Sequence, residues 1–338
     1  MPNPVLTAAI DRLSNREDLD SADASKVLAE IIEGNASEAQ AAAFLIALRT
    51  KGETVGEIAG FASELRERAV KVDGGDGLVD TAGTGGGRPT FNVSTTAAFI
   101  AAGAGCRVAK HGNRSATSQC GSADVLEALG GRIEVGVDVV EACIREIGFG
   151  FMFAPRHHPA FKHIVPVRKE LGVRTIFNFL GPLTNPAGAR HQVIGVSDPG
   201  KLETMAAALG QLGAERALVV SSADGLDEFS VSGATRVVEL REGRLSTYDV
   251  TPEQVDLESA RDGAVGAGTP EQNALVLREV LAGNPGTERS LAVLNAGAAI
   301  YVAGGAETLA DGVREAERAV DSGAAAGVME RWVEATTA

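Results

Sequence analysis

Apolar positions in the first 70 residues recur at helical spacing and are interrupted by polar, glycine-bearing gaps, so this part reads as helices throughout. Ser37-x-x-Gln40 and Thr54-x-x-Glu57 each precede an apolar-periodic run and read as capping boxes, while Gly34-Asn35 and Gly52 separate helices. Between residues 39 and 48 the apolar side chains are nearly continuous, more than a lone surface helix needs. A face of that helix is therefore expected to meet another helix or another chain. The polar stretch Val72-Asp73-Gly74-Gly75-Asp76-Gly77 marks a domain boundary and leaves room for a hinge. It divides the chain into a small helical domain, residues 1–70, and a larger one, residues 71–338.

Past the boundary the period changes. Short apolar runs at 78–80, 106–110, 150–153, 192–196 and 217–220 read as strands, with helices at 94–103, 122–129, 137–147 and 202–212 between them. That alternation predicts an α/β domain with a mostly parallel central sheet flanked by helices. Residues 235–250 read instead as a hairpin around Glu242-Gly243, and from residue 272 the chain is helical again to near Trp332. No internal repeat or low-complexity tract appears.

Composition narrows the class. With 338 residues, 44% of them apolar, the chain can fill a sizeable core. A formal net charge of −14 argues against a nucleic-acid or membrane-surface protein, which would present a basic field. Any polyanionic ligand must then be met by a few placed cations or by metal. Cys106, Cys120 and Cys143 form no C-x-x-C pair, as expected of reduced thiols in a cytoplasm. The first residues lack a signal-peptide pattern and no apolar run reaches a membrane span, so a soluble, cytoplasmic protein is expected.

The chemistry concentrates in residues 78–131. Leu78-Val79-Asp80 leads into Gly83-Thr84-Gly85-Gly86-Gly87, and Asn92-Val93-Ser94-Thr95-Thr96 opens an alanine-rich helix, with Ser94 or Thr95 expected as its N-cap. A strand, a glycine turn and a helix N-terminus together make an anion cradle. A glycine cluster alone is more often only a turn, and this one matches neither the dinucleotide nor the P-loop fingerprint. The next strand, however, delivers Lys110-His111-Gly112-Asn113-Arg114-Ser115, a dense set of donors where α/β sheets bind ligands. Asp227-Glu228 follows a strand and a glycine, and adjacent carboxylates suit Mg²⁺, although such a pair can equally be a solvated turn. His157, His158 and His163 lack the spacing and partners of a zinc site.

These stretches, with Gly121-Ser122-Ala123-Asp124-Val125-Leu126-Glu127, the run from Val167 to Thr175 that contains Arg168, and Asn178-Phe179-Leu180-Gly181-Pro182-Leu183-Thr184-Asn185-Pro186, closely resemble the anthranilate phosphoribosyltransferase family over essentially the full length. The resemblance implies Mg²⁺-dependent transfer of the phosphoribosyl group of 5-phosphoribosyl-1-diphosphate (PRPP) to the amino group of anthranilate, in tryptophan biosynthesis. It implies a homodimer formed through the helical domain, which helices from about 163–187 would join, and two Mg²⁺ per subunit. By the same resemblance PRPP would be bound by Gly83, Gly86, Gly87, Thr90, Asn92, Val93, Ser94 and Thr95 of the first loop. From the second loop it would be met by Lys110, His111, Gly112, Asn113, Arg114, Ser115, Ala116, Thr117, Ser118 and Ser122. Anthranilate would lie among Gly83, His111, Asn113, Pro155, His158, Phe161, Arg168 and Gly181, with the Arg168 guanidinium on its carboxylate. Ser94, Asp227 and Glu228 would hold metal. An aromatic amine is neutral at pH 7, so no catalytic acid or base is assigned; placement of two substrates and stabilisation of departing charge carry the reaction.

Two departures stand out. Where the family usually reads Gly-Thr-Gly-Gly-Asp the fifth residue here is Gly87, in a loop one residue shorter, and Gln119 stands where relatives often have lysine. One change removes a carboxylate and the other a cation, so a compensated but altered PRPP affinity and Mg²⁺ optimum are expected. Three other readings remain at this point. A pyrimidine nucleoside phosphorylase would carry a further C-terminal domain and a lysine-rich glycine motif. A non-catalytic nucleic-acid-binding paralogue fits the acidic charge poorly. A phosphoribosyltransferase for another small aromatic amine is excluded least well.

Overall fold

Four helices open the chain in the computed structural model, which describes residues 1–115, 119–261 and 263–338. They are α1 (Pro4–Ser14), α2 (Ser21–Ile32), α3 (Glu38–Lys51) and α4 (Val55–Glu67). The Thr54/Glu57 capping box forms as the spacing predicts. The Ser37 box closes on one side only. Ser37 accepts from the Gln40 N–H, but the Gln40 side chain turns away to bond the backbone of Asn3, the N-cap of α1.

The second part alternates as expected: β1 (Leu78–Gly83), α5 (Val93–Gly103), β2 (Arg107–Gly112), α6 (Ser122–Ala128), α7 (Val137–Ala142), β3 (Phe149–Phe153). After α7 the helix widens into a π turn, Cys143–Ile147, before Gly148 ends it. Three short helices follow, α8 (Ala154–His157), α9 (Val165–Leu171) and α10 (Phe177–Leu180), and then β4 (His191–Gly195), α11 (Leu202–Gln211) and β5 (Arg216–Ser222). The antiparallel pair β6 (Thr235–Arg241) and β7 (Arg244–Val250) turns at Glu242-Gly243, and α12 (Pro270–Leu281), α13 (Thr287–Val302), α14 (Leu309–Asp321) and α15 (Ala324–Thr337) complete the chain.

Among the described residues seven strands form one sheet in the order β3-β2-β1-β4-β5-β6-β7, parallel from β3 to β5. β1 carries the first crossover to one side and β4 returns on its other side, so ligand-binding loops gather at the carboxyl ends of β1, β2 and β4. One sheet face packs on α5 and the C-terminal helices around Phe99, Phe149 and Trp332. The other face shares a single apolar core with α1–α4, the 164–183 segment and α11; Phe44, Ile164, Val167 and Val219 all belong to it. The connector between the two parts is pinned rather than loose. Val70 N–H donates to His157 O at 2.8 Å, Val72 N–H to Pro186 O at 3.3 Å, and Asp73 N–H to Glu141 Oε1 at 2.8 Å.

Candidate active site

The glycine turn at the end of β1 is shaped by what crowds it. Gly86 has φ +85°, and a Cβ there would run into the Arg174 guanidinium. The helix after it begins one residue earlier than predicted: Asn92 is the N-cap of α5, so Ser94 and Thr95 lie in the first turn instead of capping it. The Asn92 side chain leaves its own helix uncapped. Its Oδ1 accepts from Asn273 Nδ2 at 2.9 Å and Cys120 Sγ at 3.1 Å, and its Nδ2 donates to Cys120 O at 3.3 Å. Glu228 comes to this helix start across space: it accepts from the Thr90 hydroxyl at 3.2 Å, and the Ser94 backbone lowers its pKa against the larger effect of burial. Thr95 Oγ1 is buried and has no hydrogen-bond partner among the described residues.

Asp227 and Glu228 sit in a turn that passes directly beneath the carboxyl end of β4. A Cβ on Gly195 would overlap the Asp227 carbonyl, so only glycine permits this approach. Asn295 of α13 fixes the turn from behind, bonding Phe229 N–H and O at 3.0 Å each. Burial raises the Asp227 carboxyl above its usual range, and burial plus the neighbouring Asp227 charge raises Glu228 well above its own. Two buried, mutually repelling carboxyls beside the Ser94 hydroxyl are a donor set that a hard dication would relieve. Among the described residues no three His, Cys, Asp or Glu side chains converge as metal ligands. Mg²⁺ held by one or two carboxylates takes its other oxygens from water and substrate phosphate. The residues present fit that ion.

Lys110 is 1% exposed and approaches from below, donating to Thr81 O at 2.6 Å and Ser94 Oγ at 3.3 Å. Burial lowers its ammonium to about 8, opposed by the charges of Asp80 and Glu228. Its charge thus supports Ser94 and the carboxylate turn and is not held open on the surface. Arg114, expected at phosphate, lies instead against α6, bonded to Asp124 at 2.9 Å and Glu127 at 3.0 Å. Asp124 also accepts from Ser115 N–H and Gly121 N–H, which folds the loop, and Ser122 Oγ donates to Asn113 O. Ala116, Thr117 and Ser118 lie outside the described residues.

A cavity of about 440 Å³ opens beside this cradle. All eight residues read as anthranilate-binding line it: Gly83, His111, Asn113, Pro155, His158, Phe161, Arg168 and Gly181. Arg168 stands over the Phe177 ring at 5.4 Å, with burial lowering its pKa. It has the fork geometry a planar carboxylate needs. His111 Nδ1 lies 3.2 Å from Gly181 O, which can only accept, so the proton is on Nδ1 and Nε2 is left as an acceptor. The His111 and His158 rings are tilted 55° to each other with centroids 5.0 Å apart, and the Nε2 of each is buried without a hydrogen-bond partner among the described residues. Burial, then the neighbouring His158, lowers His111 to about 3; burial, then His157, lowers His158 to about 4, so both rings are neutral. His157 is turned away to Val70 O at 3.0 Å and His163 packs over Gly34, so the three histidines do not converge.

Several supporting residues escaped the sequence reading. Asp80, fully buried in the middle of β1, accepts from Asn185 Nδ2 at 2.7 Å and His111 N–H at 3.2 Å, and so sets the His111 backbone. Asp124 and Arg174 lie within stretches quoted above but were given no role, and Asn295 lies outside all of them. A polar residue closing an apolar run was the available signal for Asp80; Asn295 had none.

Residues 75–326 match the glycosyl transferase family, a/b domain, and residues 7–69 match its helical bundle domain. The chain is 52% identical over 97% of its length to the anthranilate phosphoribosyltransferase of Rubrobacter xylanophilus, of which it covers 97%. The chain belongs to the anthranilate phosphoribosyltransferase family. The family's enzyme from Thermus thermophilus superposes with a TM-score of 0.93 at 44% identity, covering 98% of this chain and 99% of that one. The Saccharomyces cerevisiae enzyme in complex with PRPP and Mg superposes at 0.88 with 27% identity over 98% of each chain. The same yeast enzyme in complex with 4-fluoroanthranilate also superposes at 0.88, covering 98% of this chain and 97% of that one. Against this family the nucleoside phosphorylase and nucleic-acid-binding readings fall away.

Proposed function

We propose that the chain transfers the phosphoribosyl group of PRPP to the amino group of anthranilate and releases diphosphate, the pentosyl-transfer step of tryptophan biosynthesis. The observation that carries this reading is the junction at Gly83. Gly83 lines the arginine-bearing cavity, and a Cβ there would come within 2.7 Å of the Asp227 carboxylate, so acceptor pocket and carboxylate turn meet at one backbone position. A ribose C1 near Gly83 and Asn113 would lie between an amine in the cavity and a diphosphate over the α5 N-terminus. Arg168 would orient the acceptor by its carboxylate, and the neutral Nε2 atoms of His111 and His158 would accept hydrogen bonds from its amine. Mg²⁺ held by Asp227, Glu228 and Ser94, two ions per subunit in this reading, supplies charge compensation to the leaving diphosphate. The yeast relative's complexes with PRPP and Mg and with 4-fluoroanthranilate support these substrates.

The helical part is read as a domain comprising residues 1–70 with the helices of 163–187 added, and as the dimerisation surface. Half-exposed Ile46 beside exposed Ala39 and Ala43 on one side of α3 supports a homodimer there. Among the described residues no helix is long and apolar enough to cross a membrane. The three cysteines are free and buried, which suits the expected cytoplasmic location.

Loss of anthranilate fluorescence with PRPP and Mg²⁺ tests the reaction. Turnover is expected, with Arg168→Ala raising the anthranilate KM by about tenfold or more, the value of a charge-assisted bidentate contact. Asp227→Ala should shift the Mg²⁺ dependence while leaving the anthranilate KM unchanged. PRPP binding without turnover would redirect the search to other amine acceptors.

A further inference from the structure

Arg174 follows α9, the helix that carries Arg168, but its guanidinium leaves that neighbourhood. Nη2 donates to Gly85 O at 3.0 Å and Nη1 to Ser197 Oγ at 3.1 Å, while the Ser197 hydroxyl itself bonds Gly85 O at 3.0 Å. One side chain therefore ties the segment holding the acceptor's arginine to the glycine turn after β1 and to the loop after β4. The turn is built around it: Gly86 adopts φ +85° and has no Cβ where the guanidinium sits. Phe179 lies beneath the guanidinium, 5.7 Å from its ring centroid. Arg174 also holds the Asp227 carboxylate towards its charged form, though burial outweighs it.

We propose that Arg174 is a positioning residue that couples the two substrate pockets, holding the glycine turn in its phosphate-binding shape when the Arg168 segment is in place. The inference rests on the phosphoribosyl-transfer reading. Its physical basis is that the Gly85 carbonyl and the Gly86 N–H belong to one trans peptide and point in opposite directions, so Arg174, by bonding that carbonyl, fixes the Gly86 N–H on the other side, while the Gly85 N–H is held by Asp227 Oδ2 at 2.9 Å. It touches neither reacting atom in this role.

The experiment measures PRPP·Mg²⁺ binding by calorimetry and steady-state kinetics for the wild type and Arg174→Ala. It adds anthranilate binding by fluorescence, with and without PRPP. We expect Arg174→Ala to weaken PRPP binding by about tenfold or more, the size of a lost charged hydrogen bond. Anthranilate binding in the absence of PRPP should be unchanged, and any tightening of anthranilate by PRPP in the wild type should be lost. Millimolar guanidinium should restore part of the PRPP affinity of Arg174→Ala and leave the wild type unaffected. Wild-type PRPP affinity in the variant would overturn the proposal. So would equal weakening of both substrates with a lowered Tm and no guanidinium rescue, which would make Arg174 a folding residue only. Because PRPP binding is read directly, a wild type that binds PRPP but does not turn over anthranilate refutes the reaction without touching the role of Arg174.

Discussion

At the scale of single residues, the cavity beside the cradle shows how burial changes the chemistry of a residue type. His111 and His158 are ordinary imidazoles by sequence, yet burial holds them at about 3 and about 4. Both folded values lie below the unfolded value of roughly 6.5, so the stability of this pair is present above pH 6.5 and declines as pH falls towards 4. Thermal melts should therefore show a drop in Tm between pH 6.5 and 4.5 that is smaller in His158→Asn. A Tm profile identical to wild type would show that the pair is not held neutral. That these eight residues belong together was legible from their resemblance to a family, residue by residue, and the structure places all of them around one cavity. The protonation of the histidines was not, because desolvation depends on what packs around them.

At the scale of elements, the site depends on close approaches between segments distant in sequence. Gly195, at the end of β4, has no room for a Cβ because the Asp227 carbonyl passes there. Gly195→Ala should displace the Asp227–Glu228 turn and lower the apparent Mg²⁺ affinity, although no ligand is removed. Rates titrated against Mg²⁺ that match the wild type would refute it. Gly87, the departure from the family loop, is in similar straits: a Cβ would come within 2.7 Å of Asp227 Oδ1. Arg88 meets Asp224 at 2.9 Å in this shortened loop, so glycine turn and carboxylate turn are fastened together. A second buried network ties the hairpin to α13. Glu239 accepts from both tyrosines of the chain, Tyr248 and Tyr301, at 2.9 Å each, and Arg216 stacks on Tyr301 at 3.7 Å. Glu239→Ala removes the acceptor of both hydroxyls and the carboxylate facing half-buried Arg216, which keeps the Tyr301 carbonyl, and should cost about 1–3 kcal/mol in urea unfolding. The hairpin itself was readable from Glu242-Gly243; its buried anchor was not.

At the scale of the molecule, the two sequence-defined parts share one apolar core, since α1–α4 and one sheet face contribute to it together. The helical part therefore supports the wall of the cavity, and its exposed apolar side chain Ile46 on α3 is where the proposed dimer would form. Ile46→Glu should convert a dimer to a monomer in light scattering with the fold intact by circular dichroism. A monomeric wild type, or a variant that stays dimeric, would place the interface elsewhere or remove it. The connector at 72–77 looked like a hinge because glycine and aspartate carry no apolar signal. Its backbone hydrogen bonds to Pro186 and Glu141 come from elements that no local pattern reveals.

Sequence alone determined the order of helices and strands, the split into a helical part and an α/β part, and the glycine and donor-rich loops. These follow from side-chain periodicity and backbone propensity, which act over a few residues. The tertiary structure decided the rest: Lys110 supports the cradle from beneath, Arg114 is held by Asp124 and Glu127, and Glu228 comes to the start of α5 through Thr90. Charges and hydrogen bonds of this kind are settled by distance and desolvation between segments far apart along the chain.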